Sequence, residues 1–186
     1  MHRIHSIHRI HIIHGIHRTH MIHKIHSIHM IHKISPVMHR YLSQRTMVDV
    51  LTKITGPNVK CMQSMLFVKP PGFQGQAWHQ DEIYIPTRDR SLVGAWIAID
   101  DATIQNGCLW VLPASHQSGF LYCQRVHNRP DEFDLGEESY GFDDSNEVPV
   151  EVKAGTLVCF NGYLLHRSRK NRGSLYRRVL VNHYMN

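Results

Sequence analysis

The sequence predicts a mainly β domain with a minor helical part. Three observations carry this. Apolar runs of roughly four to eight residues, rich in β-branched and aromatic side chains, recur between Gly, Pro, Asn and Asp turn signals. One helical pattern stands in front of them. No alternation of strand with helix follows, so a parallel βαβ sheet is excluded and an all-β sandwich or barrel is favoured.

Composition agrees with a single globular unit. The chain has 186 residues and 42% apolar content, enough for one core. The net charge of +6 is local, because residues 1–48 hold seven of the 21 Lys/Arg and none of the 15 Asp/Glu. The remainder is near neutral and shows no basic stripe with interleaved aromatics, which argues against a nucleic-acid surface. Cys61, Cys108, Cys123 and Cys159 form no C-x-x-C pair and read as reduced thiols inside a cell. No apolar run approaches a membrane span, and His or Lys interrupts every would-be signal core. The expected location is cytoplasmic. Only the acid-free N-terminus faintly suggests an organelle transit peptide.

Residues 1–34 are a low-complexity repeat with His at every third position from His2 to His32, mostly preceded by Ile. A period of three matches neither strand nor helix, so the tract is expected to build no core and to be disordered. Its functional alternative is a loose metal-binding His tract. This divides the chain into a repeat at 1–35 and a folded domain at 36–186.

Within that domain, residues 38–55 read as a helix with an apolar stripe through Leu42, Met47, Val50, Leu51 and Ile54, ended by Gly56-Pro57-Asn58. Residues 61–68 read as a strand closed by Pro70-Pro71-Gly72. Ile83-Tyr84-Ile85 alternates until Pro86. Residues 92–99 read as a buried strand. Asp100-Asp101 suit a turn or cap better than a metal. Asn106-Gly107 is a turn before a strand at 108–112. The segment 117–147 is the longest irregular stretch and the expected substrate-specificity loop. Val148–Val152 is a strand, at an edge because of Pro149. Asn161-Gly162 predicts a two-residue hairpin joining 156–160 to 163–166. The last strand is 177–184, with Arg177 and Arg178 on opposite faces.

The chemistry centres on Trp78-His79-Gln80-Asp81. Residues two apart on an extended strand share a face, so His79 and Asp81 can meet at one metal ion. The bland alternative is a solvated strand-end pair. His166, at the end of a later apolar run, supplies a second imidazole. Two His and one carboxylate make the facial triad of non-haem Fe(II) oxygenases. Arg177, eleven residues on, offers a planar fork suited to the distal carboxylate of a 2-oxo acid. His116 and His127 read as loop or surface residues, not ligands.

At these positions the sequence resembles the phytanoyl-CoA dioxygenase family of Fe(II)- and 2-oxoglutarate-dependent oxygenases. The resemblance runs from about Pro36 to the C-terminus. Its carriers are Gly56-Pro57-Asn58, Lys69-Pro70-Pro71, Trp78-His79-Gln80-Asp81, Trp96-Ile97-Ala98-Ile99, Asn106-Gly107 through Ser115-His116, His166-Arg167-Ser168, Asn171, Ser174 and Arg177. Ala114 departs from it, since Gly is usual there, and a locally altered turn is expected.

The resemblance implies a double-stranded β-helix, the cupin-like jelly roll. The family has a longer segment before Gly56, so the sheet is expected to be short on its N-terminal side. The resemblance further implies Fe(II) held by His79, Asp81 and His166, with 2-oxoglutarate chelating the metal and O2 in the remaining place. Arg177 would pair with the distal carboxylate, Ser168 would donate a hydrogen bond and Trp96 would form a wall. Ascorbate is the expected stimulant. The implied reaction is hydroxylation of a small organic or acyl substrate with release of succinate and CO2. A small-molecule substrate is the only partner implied. Two competing readings are a non-catalytic truncated remnant or metal-binding protein with a His-rich tail, and a zinc-type hydrolase. The hydrolase would not need Arg177 and Ser168.

Overall fold

The computed structural model describes residues 26–186. Its strands are β1 (Ser27–His29), β2 (Lys60–Lys69), β3 (Gln76–His79), β4 (Val93–Ala98), β5 (Leu109–Val111), β6 (Gln124–Val126), β7 (Glu137–Ser139), β8 (Val148–Val150), β9 (Leu157–Asn161), β10 (His166–Ser168) and β11 (Arg177–Met185). The helices are α1 (Pro36–Tyr41), α2 (Arg45–Thr55) and α3 (Asp81–Tyr84), with 3-10 turns at Ile31–Lys33 and Ser115–Ser118.

The strands form antiparallel sheets in the orders β1-β2-β11-β4-β9 and β3-β10-β5-β8, with β6-β7 as a separate ladder. The strands β2, β11, β4 and β9 and the four of the second sheet make the two layers of a jelly roll. The core lies between them: Trp96, Phe160, Val179 and Val181 of the larger sheet pack with Cys108 and Leu109 from the other side. A second cluster of Met47, Leu51, Val93, Ala95 and Tyr184 seats α2 on the outer face of the larger sheet.

Several expectations change. The helix read over 38–55 is two helices. Ser35 caps α1 by accepting from the Met38 N–H, and the Gln44 side chain caps α2 by accepting from the Met47 N–H. Each cap satisfies an orphan N–H, so the chain restarts at Gln44 instead of continuing. Of the expected stripe, Met47 and Leu51 are buried while Val50 and Ile54 are exposed.

The end of the repeat, expected to lie outside the folded domain, is part of it. Ser27–His29 pairs antiparallel with Phe67–Met65 of β2, and Ile31 is buried. Three residues on a sheet edge need only backbone pairing, which a period of three does not prevent. The rest of the repeat, residues 1–25, lies outside the described residues, and so does its metal-binding reading for every histidine of the tract but His26, His29 and His32.

Ile83-Tyr84-Ile85 is not a strand: Ile83 and Tyr84 lie in the single helical turn α3. Asn161-Gly162 is not a hairpin turn. β9 pairs with β4, whereas β10 pairs with β3 and β5. The Asn161 side chain accepts from the Tyr163 N–H at 2.8 Å, and the chain there crosses from one sheet to the other. The 117–147 segment carries the β6–β7 ladder. Pro149 does sit on an edge strand, β8.

Candidate metal and 2-oxo acid site

His79 ends β3 and Asp81 opens α3, with Gln80 extended between them (φ −128°, ψ 126°). The single extended residue sends His79 and Asp81 one way and Gln80 the other. Gln80 is fully buried and anchors the motif from behind. Its amide donates to the Phe120 and Tyr163 carbonyls, both at 2.7 Å, and accepts from the Tyr122 N–H at 2.9 Å. His166 opens β10 and lies opposite His79 in the ladder.

His79, Asp81 and His166 each offer one ligand atom, all within 4.8 Å of one another. Among the described residues this is the one such group of three. The His79 Nδ1 bonds to the Ala77 carbonyl at 2.8 Å and the His166 Nδ1 to the Leu164 carbonyl at 2.9 Å. A carbonyl only accepts, so both Nδ1 atoms carry protons and both Nε2 lone pairs are free for a metal. The Nε2 atoms lie 3.8 Å (His79) and 3.5 Å (His166) from Asp81 Oδ1. Two imidazole nitrogens on strand ends and one carboxylate oxygen at the start of α3 fit a divalent first-row metal and leave one side open.

The electrostatics favour the ligand form of His79 and Asp81, while without a metal Asp81 favours the protonated form of His166. Burial, with the neighbouring His166, lowers His79 to about 4, so it is neutral at physiological pH, as a ligand must be. Burial opposes ionisation of Asp81, but the His166 and His183 imidazoles outweigh it and hold the carboxyl well below its usual range. Burial opposes protonation of His166, but the Asp81 carboxylate beside it wins and raises its pKa.

A buried cationic pair lies beside the strand that carries His166. Ser168 follows His166 by two residues on β10, about 7 Å along the strand on the same face. Its hydroxyl accepts from the Lys69 ammonium at 2.8 Å and the Gln76 N–H at 3.2 Å. Both acceptor positions are then used, and the Ser168 proton remains to donate. Lys69 pairs in register with Arg177 across β2–β11. Both are buried. Burial lowers Arg177 to about 10; burial and then the adjacent Arg177 push Lys69 well below its usual value. Two cations with no buried carboxylate bonded to either among the described residues form a site that an anion would complete. Arg177 gives its Nε–H to the Gly107 carbonyl at 3.2 Å, and its guanidinium carbon lies 6.0 Å from the centre of the Trp96 ring. Trp96 is thus a core aromatic whose ring lies beside the Arg177 cation.

Arg178 points outward and pairs with Asp100, while Asp101 pairs with Lys153. Neither aspartate approaches the triad residues as a bonded partner. His116 is exposed, and His127 bonds to the Asp134 carbonyl. Three site residues were not singled out from sequence as functional: Lys69, Gln80 and His183. Signals for two of them exist. Lys69 is a charge closing an apolar strand, and His183 follows Arg177 by an even number of residues, hence on its face. His183 Nε2 lies 2.8 Å from Asp81 Oδ2.

Comparison with known proteins identifies the family and the fold. The chain matches the family model "Phytanoyl-CoA dioxygenase (PhyH)" over residues 6–179, so the match begins inside the Ile/His repeat. It is 36% identical over 123 residues to a phytanoyl-CoA dioxygenase of Arabidopsis thaliana, covering 66% of this chain and 43% of that protein. It is 34% identical over 150 residues to phytanoyl-CoA dioxygenase 1 of Oryza sativa subsp. japonica, covering 80% and 52% respectively. The chain thus spans about half the length of the curated relatives it matches. The solved structure of EvdO2 from Micromonospora carbonacea var. aurantiaca complexed with 2-oxoglutarate has the same fold. The TM-score is 0.70 at 22% identity, covering 86% of this chain and 66% of that one. No helix among the described residues is long and apolar enough to cross a membrane. With the family model matched across most of its length, this chain belongs to the phytanoyl-CoA dioxygenase family.

Proposed function

We propose that this chain is an Fe(II)- and 2-oxoglutarate-dependent dioxygenase that hydroxylates a small organic or acyl substrate, releasing succinate and CO2. The observation that carries the reading is the meeting of the His79, Asp81 and His166 ligand atoms within 4.8 Å, with His166 on the same strand as Ser168, whose hydroxyl bonds the Lys69 ammonium.

In this reading His79 Nε2, His166 Nε2 and Asp81 Oδ1 hold the iron. The metal, when bound with 2-oxoglutarate and O2, supplies the oxidising chemistry. The chain's own residues bind and orient. Arg177 offers its guanidinium to the distal carboxylate of the co-substrate, Lys69 adds a second positive charge, and Ser168 donates its proton. Trp96 closes the side of the cleft. Buried surroundings strengthen each of these charge-assisted bonds. The family match supports the reaction class, and the EvdO2 complex shows the fold binding 2-oxoglutarate in another protein.

Substrate-free turnover tests the proposal. The purified chain, incubated with Fe(II), ascorbate, 2-oxoglutarate and O2, is expected to form succinate slowly, and Asp81→Ala to form none. Equal succinate from both proteins would contradict the assignment.

A further inference from the structure

We infer that His183 is a positioning residue that confines Asp81 to one-oxygen coordination, so that the metal keeps three open positions. The inference rests on the metal-site reading above.

His183 lies on β11 and is 1% exposed. Its Nε2 is 2.8 Å from Asp81 Oδ2. An ionised carboxylate only accepts, so Nε2 carries the proton and donates it. The other ring nitrogen, Nδ1, then has a lone pair, and it faces the Gln63 amide nitrogen at 3.4 Å. Gln63, His183 and Asp81 thus form a line of hydrogen bonds with one direction, from β2 through β11 to α3.

The two Asp81 oxygens are therefore divided. Oδ2 is bonded to His183, while Oδ1 faces the Nε2 atoms of His166 and His79 at 3.5 and 3.8 Å. The division matters by count. An octahedral ion bound by two imidazoles and one carboxylate oxygen keeps three positions. A 2-oxo acid that chelates takes two, leaving one. If Asp81 supplied both oxygens, that last position would be filled. Metal-bound carboxylates are commonly oriented by such outer partners. Here the partner is a buried imidazole arriving from a different sheet.

Two variants separate orientation from packing. An extended glutamine at 183 puts its amide nitrogen near the place of Nε2, whereas asparagine reaches only the place of Nδ1. Both are smaller than or similar to His, so neither overfills the site. Mn(II) binding, followed by electron paramagnetic resonance, reads the metal directly. The expected result is that His183→Gln binds Mn(II) within about threefold of the parent and His183→Asn binds about 10- to 100-fold more weakly. The anaerobic Fe(II)–2-oxoglutarate absorption band is expected to be kept in His183→Gln and shifted or lost in His183→Asn.

A folded His183→Asn protein with Mn(II) affinity within threefold of the parent and an unchanged band would overturn the inference. Should that variant fail to fold, Gln63→Leu reads the same line from its other end. A several-fold weaker Mn(II) affinity supports the positioning role, and an unchanged one overturns it. A parent chain that binds no Mn(II) at all would remove the metal-site reading itself, and this role with it.

Discussion

His79 and His166 stand opposite each other in the β3–β10 ladder, their ring centres 4.1 Å apart. Two imidazoles this close, each with Nδ1 bonded to a carbonyl, present two nitrogens to one point before any metal arrives. Each is expected to be necessary for binding. A ligand present at a hundred times its dissociation constant stabilises a protein by about 2.7 kcal/mol. Mn(II) should therefore raise the melting temperature of the parent chain and leave that of His79→Ala and His166→Ala unchanged in a thermal-shift titration.

Arg177 is expected to govern affinity for the co-substrate and not for the metal. Removing a buried charged hydrogen-bonding partner costs about 1.5–3 kcal/mol, so Arg177→Ala should weaken 2-oxoglutarate binding by roughly ten- to a hundredfold. Arg177→Lys keeps the charge but loses the fork, and should recover only part of this. Titration calorimetry with the Mn(II)-loaded chain measures both. Parent-like 2-oxoglutarate affinity in Arg177→Ala would remove Arg177 from the site.

Gly94 makes room for the Phe160 ring, which lies against His166 with 4.8 Å between ring centres. A Cβ at Gly94 would come within 2.7 Å of that ring. Gly94→Ala is expected to displace Phe160 and weaken metal binding. Adding Phe160→Leu should restore part of the loss, because neighbouring substitutions couple. Metal affinities of the two singles and the double form the test.

Ala114 holds φ 63°, ψ 0°, a left-handed conformation that costs an L-residue about 1–2 kcal/mol. The family's usual glycine predicted an altered turn here. Instead the turn adopts positive φ with the alanine in place. Ala114→Gly should stabilise the chain by about 1 kcal/mol and raise the melting temperature by about 2–4 °C. A fall in melting temperature would show that the turn is not strained.

Arg178 grips Asp100 with two side-chain bonds of 2.8 and 2.7 Å and a backbone N–H at 2.8 Å. The Arg178 bond holds the Asp100 carboxyl below its usual 3.8. A depressed carboxyl contributes stability above its unfolded pKa and loses it as pH falls through the folded value. Asp100→Asn should therefore melt below the parent at pH 7, and the gap should narrow once the pH drops under about 4. A gap independent of pH would assign the effect to shape.

The residues of the site were legible where chemistry and parity coincide. His79, Asp81, His166 and Arg177 are residue types with few other uses at such spacing, and β2, β4 and β11 are apolar runs with clear terminators. What was not legible depends on partners distant in sequence. Asn161-Gly162 reports a local turn but not which strand the chain rejoins, so the crossing between sheets was missed. Ile83-Tyr84-Ile85 alternates over too few residues to outweigh the turn that starts at Asp81. The end of the Ile/His repeat has no buried face of its own, and only the open edge of β2 gives Ser27–His29 a place. The charge at Lys69 and the parity of His183 point to a face but to no role until Arg177 and Asp81 are brought beside them.

Assembly of the iron and 2-oxoglutarate site is read most directly by an anaerobic titration with Fe(II) and 2-oxoglutarate, watching for the visible metal-to-ligand absorption band. It needs no knowledge of the substrate. A band is expected in the parent chain, absent in Asp81→Ala and much weakened in Arg177→Ala. A parent chain that is folded by circular dichroism yet shows no band would contradict it.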